Sequence, residues 1–105
     1  MMSDGGFRSK VFRFPIFLTD HVFDKVRLID MTLAEFNELL LTAGVIIEED
    51  DLGDRGLKEL VLYIEWIRPL HVVVLVDTKR REERILTVYE PTPDLWSPDF
   101  RRRRR

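Results

Sequence analysis

Four runs rich in β-branched and aromatic residues, "VIIEE", "KELVLYIEWI", "LHVVVLVD" and "RILTVYE", fill most of the chain between Val45 and Glu90. Turn chemistry separates them: Gly53 and Gly56 in the first break, Arg68-Pro69 in the second and the polar "TKRREE" in the third. Connections this short cannot carry a crossover, so successive strands are expected to pair as antiparallel neighbours in a meander.

The first half of the chain has to cover one face of that sheet. "VFRFPIFL" alternates Phe12, Phe14 and Ile16 on one side. Pro15 removes a ladder donor, which confines the segment to an edge strand. Thr19 or Asp20 can cap a first helix, in which Val22, Val26 and Ile29 recur at helical spacing. Asp30 and Met31 interrupt that stripe. Thr32 with Glu35 then forms a capping box for a second helix, expected to turn Leu33, Phe36, Leu40 and Ala43 inward and to stop at Gly44. The predicted fold is α+β, with two helices packed on one face of an antiparallel four- or five-stranded sheet in the order β-α-α-β-β-β-β. Residues 1–9 are expected to be a flexible N-terminus, residues 10–100 a single domain and residues 101–105 a disordered basic tail.

Composition bounds the partners. Charged residues make up 34% of the 105, against a typical quarter. Five of the 17 basic residues are Arg101 to Arg105, so the body keeps 12 against 19 acidic residues, a formal −7. Such a body repels phosphate on average, which leaves Arg101, Arg102, Arg103, Arg104 and Arg105 as the expected contact if RNA is bound. There is no cysteine, no HExxH motif and no glycine-rich phosphate loop, so neither metal nor cofactor is expected. The acidic "EEDDLGD" lacks the alternate-position spacing of a calcium loop. With no apolar run near 18 residues and no leader-like start, a cytoplasmic protein without a membrane segment is expected.

One titratable group interrupts the apolar runs. In "RPLHVVVLVD" the side chains alternate, so Leu70, Val72, Val74 and Val76 share one face, while His71, Val73, Leu75 and Asp77 share the other. In the preceding strand Leu60, Leu62, Ile64 and Trp66 form an apolar set; in the following one Leu86 and Val88 do. Aligning these sets pairs Ile64 with Val72 and Val72 with Val88, which places Glu65 and Tyr89 on either side of His71. Two roles are open to such a trio. A carboxylate-oriented imidazole near its ordinary pKa can serve as a general acid or base, with Tyr89 as an alternative proton carrier. Equally, the three side chains can satisfy one another at the margin of a core. "PTPDLWSPDF", with Pro91, Pro93 and Pro98, should run extended over the surface, with Leu95, Trp96 and Phe100 as anchors. Trp96 and Phe100 are also the expected partner contacts.

"LTDHV…K", "PLHVVVLVD" and "ILTVYEPTPDLWSPDFRRR" together resemble a family of small bacterial and archaeal domains of unknown function. That family has a helix-start His followed by Arg or Lys, an HVVV-type strand and a TVY-P…W…R ending. It is in turn similar to the RelE and BrnT toxin group, metal-independent ribonucleases that activate a 2′-hydroxyl of messenger RNA. The resemblance spans Thr19 to Arg103 and carries over to His21, Lys25, His71, Tyr89, Pro91 and Trp96. It implies a RelE-like fold, with His71, Tyr89, Glu65, His21 and Lys25 as catalytic candidates and a small antitoxin-like protein as partner. Where the family pattern has a second Arg and a Gly, this chain has Ile29 and Asp30, so a phosphate-holding cation is missing. The expected function is therefore a non-catalytic, partner-binding relative, with a ribonuclease toxin as the alternative.

Overall fold

The computed structural model describes residues 7–64 and 67–104. In chain order it contains β1 (Arg8–Ser9), β2 (Ile16–Leu18), α1 (Asp20–Leu28), α2 (Leu33–Leu40), β3 (Gly44–Asp51), a single 3-10 turn (Gly53–Arg55), β4 (Leu57–Tyr63), β5 (Leu70–Asp77) and β6 (Glu82–Tyr89). The class is α+β as expected, but the sheet has six strands, in the order β1-β3-β4-β5-β6-β2. β3 to β6 form the antiparallel meander that short connections require. Two short edge strands complete the sheet: β1 pairs antiparallel with β3, and β2 lies parallel to β6. Arg8 and Ser9 therefore belong to the sheet and not to a loose end. The flexibility expected of residues 1–6 lies outside the described residues.

Because β1 and β2 sit at opposite edges, residues 10–15 must cross the sheet. Seven extended steps of about 3.4 Å cover the five inter-strand gaps of about 4.8 Å. That requirement explains why only Ile16 to Leu18 of "VFRFPIFL" pairs as a strand. Phe12, Phe14 and Ile16 do share one side, packed on the core under the helices.

The helices form where the sequence caps them. Thr32 Oγ1 accepts the Glu35 amide at 3.1 Å and Glu35 Oε1 accepts the Thr32 amide at 2.9 Å, closing the capping box. Thr19 occupies the N-cap of α1, yet its hydroxyl donates to the Ile85 carbonyl at 2.9 Å and so ties the helix start to β6. α1 ends because Asp30 adopts φ 57°, a left-handed conformation that Asp tolerates better than most residues. Val22, Val26 and Ile29 are buried as expected, and so are Phe36 and Leu40. Leu33 and Ala43 are exposed instead, with Leu39 taking the inward place.

Both helices lie on the face formed by Val61 and Tyr63 of β4, Leu70, Val72, Val74 and Val76 of β5, and Ile85 and Val88 of β6. Each of these aliphatic side chains stabilises the fold by about 1.5–3 kcal/mol when fully buried. Val72 pairs with Val88 as expected, but its neighbour in β4 is Val61, not Ile64. The apolar set Leu60 and Leu62 consequently faces the opposite side. A bulge at Leu86 brings Ile85 rather than Leu86 into the helix-side core.

Gly44 is the first residue of β3, three residues beyond the C-cap of α2, so its role is not to stop the helix. A Cβ there would lie 2.8 Å from the Tyr63 ring and from Val61 Cγ1. Tyr63 is wholly buried, and its hydroxyl donates to the Leu40 carbonyl at 3.0 Å, so the ring cannot retreat freely. Gly44→Ala is expected to lower the unfolding free energy by about 1–3 kcal/mol, the range for overpacking. Urea denaturation would measure it, and a variant as stable as wild type would refute this account of Gly44.

Candidate functional site

His71 lies on the second face of the sheet, away from the helices, with Tyr89 opposite it on β6. On β4 the residue opposite His71 is Leu62. Glu65, expected in that place, lies outside the described residues. The face is roofed at this level by the C-terminal arm, residues 91–104, which folds back over the sheet. Trp96 is buried among Val45, Ile47, Leu60 and Leu62, with Phe7, Val73, Tyr89 and Phe100 packed around them. Leu95, expected to be a third anchor, is exposed.

The imidazole of His71 is fully enclosed and both its nitrogens are engaged. Nε2 is 2.8 Å from the Phe100 carbonyl oxygen, and Nδ1 is 3.1 Å from the Tyr89 hydroxyl. A carbonyl only accepts, so Nε2 carries the hydrogen, and Nδ1 of the neutral ring accepts from Tyr89. The ring also meets Trp96 edge-on, with centroids 4.4 Å apart, and Tyr89 edge-on at 5.2 Å. That explains a histidine at the second position of β5, among apolar neighbours. It joins the sheet to the arm through one donated and one accepted hydrogen bond, at a place where leaving either group unpaired would cost about 1–3 kcal/mol.

Burial holds the His71 pKa below its ordinary 6.5; the Phe100 carbonyl and Glu48 raise it and Arg103 lowers it, without overcoming that effect. Burial likewise pushes the Tyr89 hydroxyl above its ordinary range, against the pull of Arg103. The consequence for stability has a definite sign. Below pH 6.5 the unfolded chain binds a proton at His71 that the folded chain refuses, so stability rises with pH in that window. It is complete above 6.5 and is lost as pH falls toward the folded value. Unfolding midpoints in urea at about pH 7.5 and about pH 5.5 should therefore fall further for wild type than for His71→Gln. An equal fall in both proteins would exclude this role for His71.

Arg101 to Arg104 are not a free tail. Trp96 and Arg103 form an antiparallel bridge, and the Arg104 amide donates to the Leu95 carbonyl at 2.9 Å. Arg103 forks onto Glu48, with Nε to Oε2 at 2.7 Å and Nη2 to Oε1 at 3.0 Å, and stacks over the Trp96 ring. Arg102 lies over the Phe7 ring, and Arg104 Nη1 donates to the Pro93 carbonyl at 3.0 Å. Arg105 lies outside the described residues.

The remaining expected site residues are not brought together. His21 and Lys25 lie on α1, whose buried residues Val22 and Val26 pack on the helix side. The sheet thus stands between them and His71, and no common proton-transfer site forms. Among the described residues no three His, Cys, Asp or Glu side chains converge to hold a metal ion. No described helix is long and apolar enough to cross a membrane.

A second polar group was not legible in the sequence. Lys10 Nζ reaches Glu59 at 2.7 Å and also pairs with Glu83, all three side chains being at most 2% exposed on the helix side of the sheet. Glu83 Oε2 accepts the Arg13 amide at 2.6 Å and the Phe14 amide at 3.2 Å, so this carboxylate fastens the crossing segment. The Phe12 ring lies 4.5 Å from the ammonium. The cluster is closed to solvent and satisfied internally, which makes it a fastening device.

No protein-family model matches this sequence, and no curated protein or solved structure matches it.

Proposed function

We propose that this chain is a non-catalytic binding module of RelE-like architecture that holds a small partner protein at a groove beside its C-terminal arm. The observation that carries the reading is the saturation of His71. With both ring nitrogens engaged under Trp96, the best acid–base candidate has no free valence for a substrate. The helix pair followed by a four-stranded antiparallel meander is the element order that the resemblance to RelE-type proteins implies, and it supports the architectural part of the proposal.

Trp96 is buried and so cannot itself meet a partner, whereas Phe100 is only half-buried and keeps an edge on the groove. Phe100 lines a groove of about 310 Å³ with Ile64, Ile67, Pro69 and Pro98. Ile67 is 88% and Ile64 53% exposed. Two large aliphatic side chains left in water beside a proline-walled groove suit an apolar segment of a protein partner.

A ribonuclease is the second reading, supported by one observation: Tyr89, Lys58 and Arg103 line a single cleft of about 140 Å³. Glu48 and Asp50 line the same cleft, and their carboxylates oppose phosphate. Burial also disfavours the phenolate that a base at Tyr89 requires. RNA contact through Arg101 to Arg104 is weakened by the fork of Arg103 on Glu48.

Affinity capture from the native host, with partners identified by mass, separates the readings. Wild type and Tyr89→Phe should retain the same small protein, and Ile67→Asp should lose it while keeping its circular dichroism. RNA cleavage that disappears in Tyr89→Phe would establish the ribonuclease instead. Retention by Ile67→Asp would overturn the groove.

A further inference from the structure

The groove beside the arm lies at the Leu70 end of β5, and a second cleft lies at the Asp77 end, between the 3-10 turn and the β5–β6 hairpin. It encloses about 390 Å³ and is lined by Arg55, Lys79, Arg80 and Arg84, with Leu75 among them. Against these four cations stand two carboxylates, Asp54 and Asp77. The cleft is thus basic on a chain whose formal net charge is −2.

Backbone geometry, more than ion pairing, holds these cations where they are. Gly56 adopts φ 103°, and a Cβ there would lie 2.1 Å from the Val76 carbonyl oxygen, so only glycine lets the turn that carries Arg55 press this closely on β5. Asp77 Oδ1 accepts the Arg80 amide at 2.9 Å, which fixes the hairpin turn beneath Lys79 and Arg80. The ion pairs are long by comparison: Lys79 to Asp54 and Arg80 to Asp77 are both 4.0 Å, and Arg84 to Glu82 is 3.3 Å. Exposed pairs of this kind contribute little, so a ligand carboxylate can replace them at small cost. The cleft also has an apolar component. Leu75 is only half-buried, and the exposed Phe17 pairs with Arg84 across β2 and β6 while its neighbours Ile16 and Leu18 pack on the helix side.

We infer that this cleft binds a short acidic segment of a partner protein, one in which carboxylates alternate with apolar side chains. Charge complementarity selects the carboxylates, which the guanidinium groups of Arg55 and Arg84 can receive as two-pronged hydrogen bonds. Leu75 and Phe17 offer the apolar side chains a surface between those charges. A nucleic acid suits the cleft less well. A strand longer than the cleft carries phosphates onward over a body of formal charge −7, whereas a peptide confines its carboxylates to the few residues that the cleft holds. The cleft is separate from the groove lined by Ile67 and Phe100, and the inference stands independently of that groove.

Fluorescence polarisation with the full chain and a labelled peptide of about eight residues, alternating glutamate and leucine, tests the inference. The peptide should bind, and its affinity should fall about tenfold between about 50 and about 300 mM salt, because the contact joins exposed charges. Its glutamine–leucine analogue should bind at least about tenfold more weakly. Arg55→Glu and Arg84→Glu should each weaken the acidic peptide about tenfold, and Arg27→Glu, on the exposed side of α1, should change it by less than about twofold. Circular dichroism confirms that each variant is folded. No binding of the acidic peptide, equal binding of the glutamine analogue, or a loss for Arg27→Glu as large as that for Arg55→Glu would each overturn the inference. So would tighter binding of a uridine oligonucleotide of the same length, which would make the cleft a nucleic-acid contact. Ile67→Asp should leave the peptide affinity unchanged, so failure here and failure of the partner groove are distinguishable.

Discussion

Replacing Lys10 with methionine is expected to lower the unfolding free energy by about 3–5 kcal/mol, the usual cost of breaking a buried ion pair from one side. The substitution keeps most of the side-chain volume and its apolar stem. What it removes is the cation shared by Glu59 and Glu83, whose side chains are as enclosed as Lys10 itself. Glu83 keeps the amides of Arg13 and Phe14 as donors, whereas Glu59 loses its ammonium partner. The added variant Lys10→Met with Glu59→Leu should therefore recover a large part of the loss, because it removes the charge left without its cation. Urea denaturation of the two variants and wild type gives the answer. A Lys10→Met protein within about 1 kcal/mol of wild type would mean that the cluster is hydrated in solution, since exposed pairs contribute only that much.

Trp96→Ala should cost a similar amount, about 3–5 kcal/mol, because a buried indole is lost from the contact between sheet and arm. Its distinctive signature is on the other side of the ring. Trp96 meets His71 edge-on and carries Arg103 over its face, so truncation loosens the Phe100 carbonyl from Nε2 and the guanidinium from Glu48 together. Water then reaches the imidazole, and its pKa should rise toward the ordinary value as the burial that depresses it is lifted. Arg103→Ala provides the contrast. It removes only an exposed ion pair and a stacking contact, so it should cost no more than about 1 kcal/mol. A loss for Arg103→Ala as large as that for Trp96→Ala would contradict this ranking, because the arginine would then hold the arm as strongly as the tryptophan.

The residues that announced themselves were those with one face to satisfy. Val22, Val26, Phe36, Val72 and Val88 lie where their spacing put them, and the pairing of Val72 with Val88 was enough to set Tyr89 beside His71. β4 defeated the same reasoning because both of its faces are apolar: Val61 and Tyr63 meet the helices, and Leu60 and Leu62 meet the arm. Alternation cannot choose between two covered faces, and a one-residue change of phase inverts every side chain. Apolar residues also continue past Tyr63 in "IEWI", so the sequence hid where the strand ends and how long its connection to β5 is.

The misread termini have a different cause. Five arginines in a row read as a solvated tail because nothing in their own chemistry predicts a fold. The order of Arg101 to Arg104 comes from Trp96 and Phe100 upstream and from Glu48 across the sheet. Lys10 and Glu83 sit in polar stretches that suit a surface, and only the crossing of residues 10–15 over the helix side of the sheet buries them. The Phe100 carbonyl on His71 could not have been found in advance, since a backbone acceptor leaves no mark in the residue pattern.

His71 is a neutral structural pin joining sheet to arm. Nitrogen-15 nuclear magnetic resonance of the imidazole tests it most directly, by following ring shifts and tautomer as pH is lowered. The expected result is a ring hydrogen on Nε2, an unprotonated Nδ1, and a titration midpoint below 6.5 that moves up in Trp96→Ala. A midpoint at or above 6.5 in wild type, or a hydrogen resident on Nδ1, would contradict it and return His71 to the role of an available acid or base.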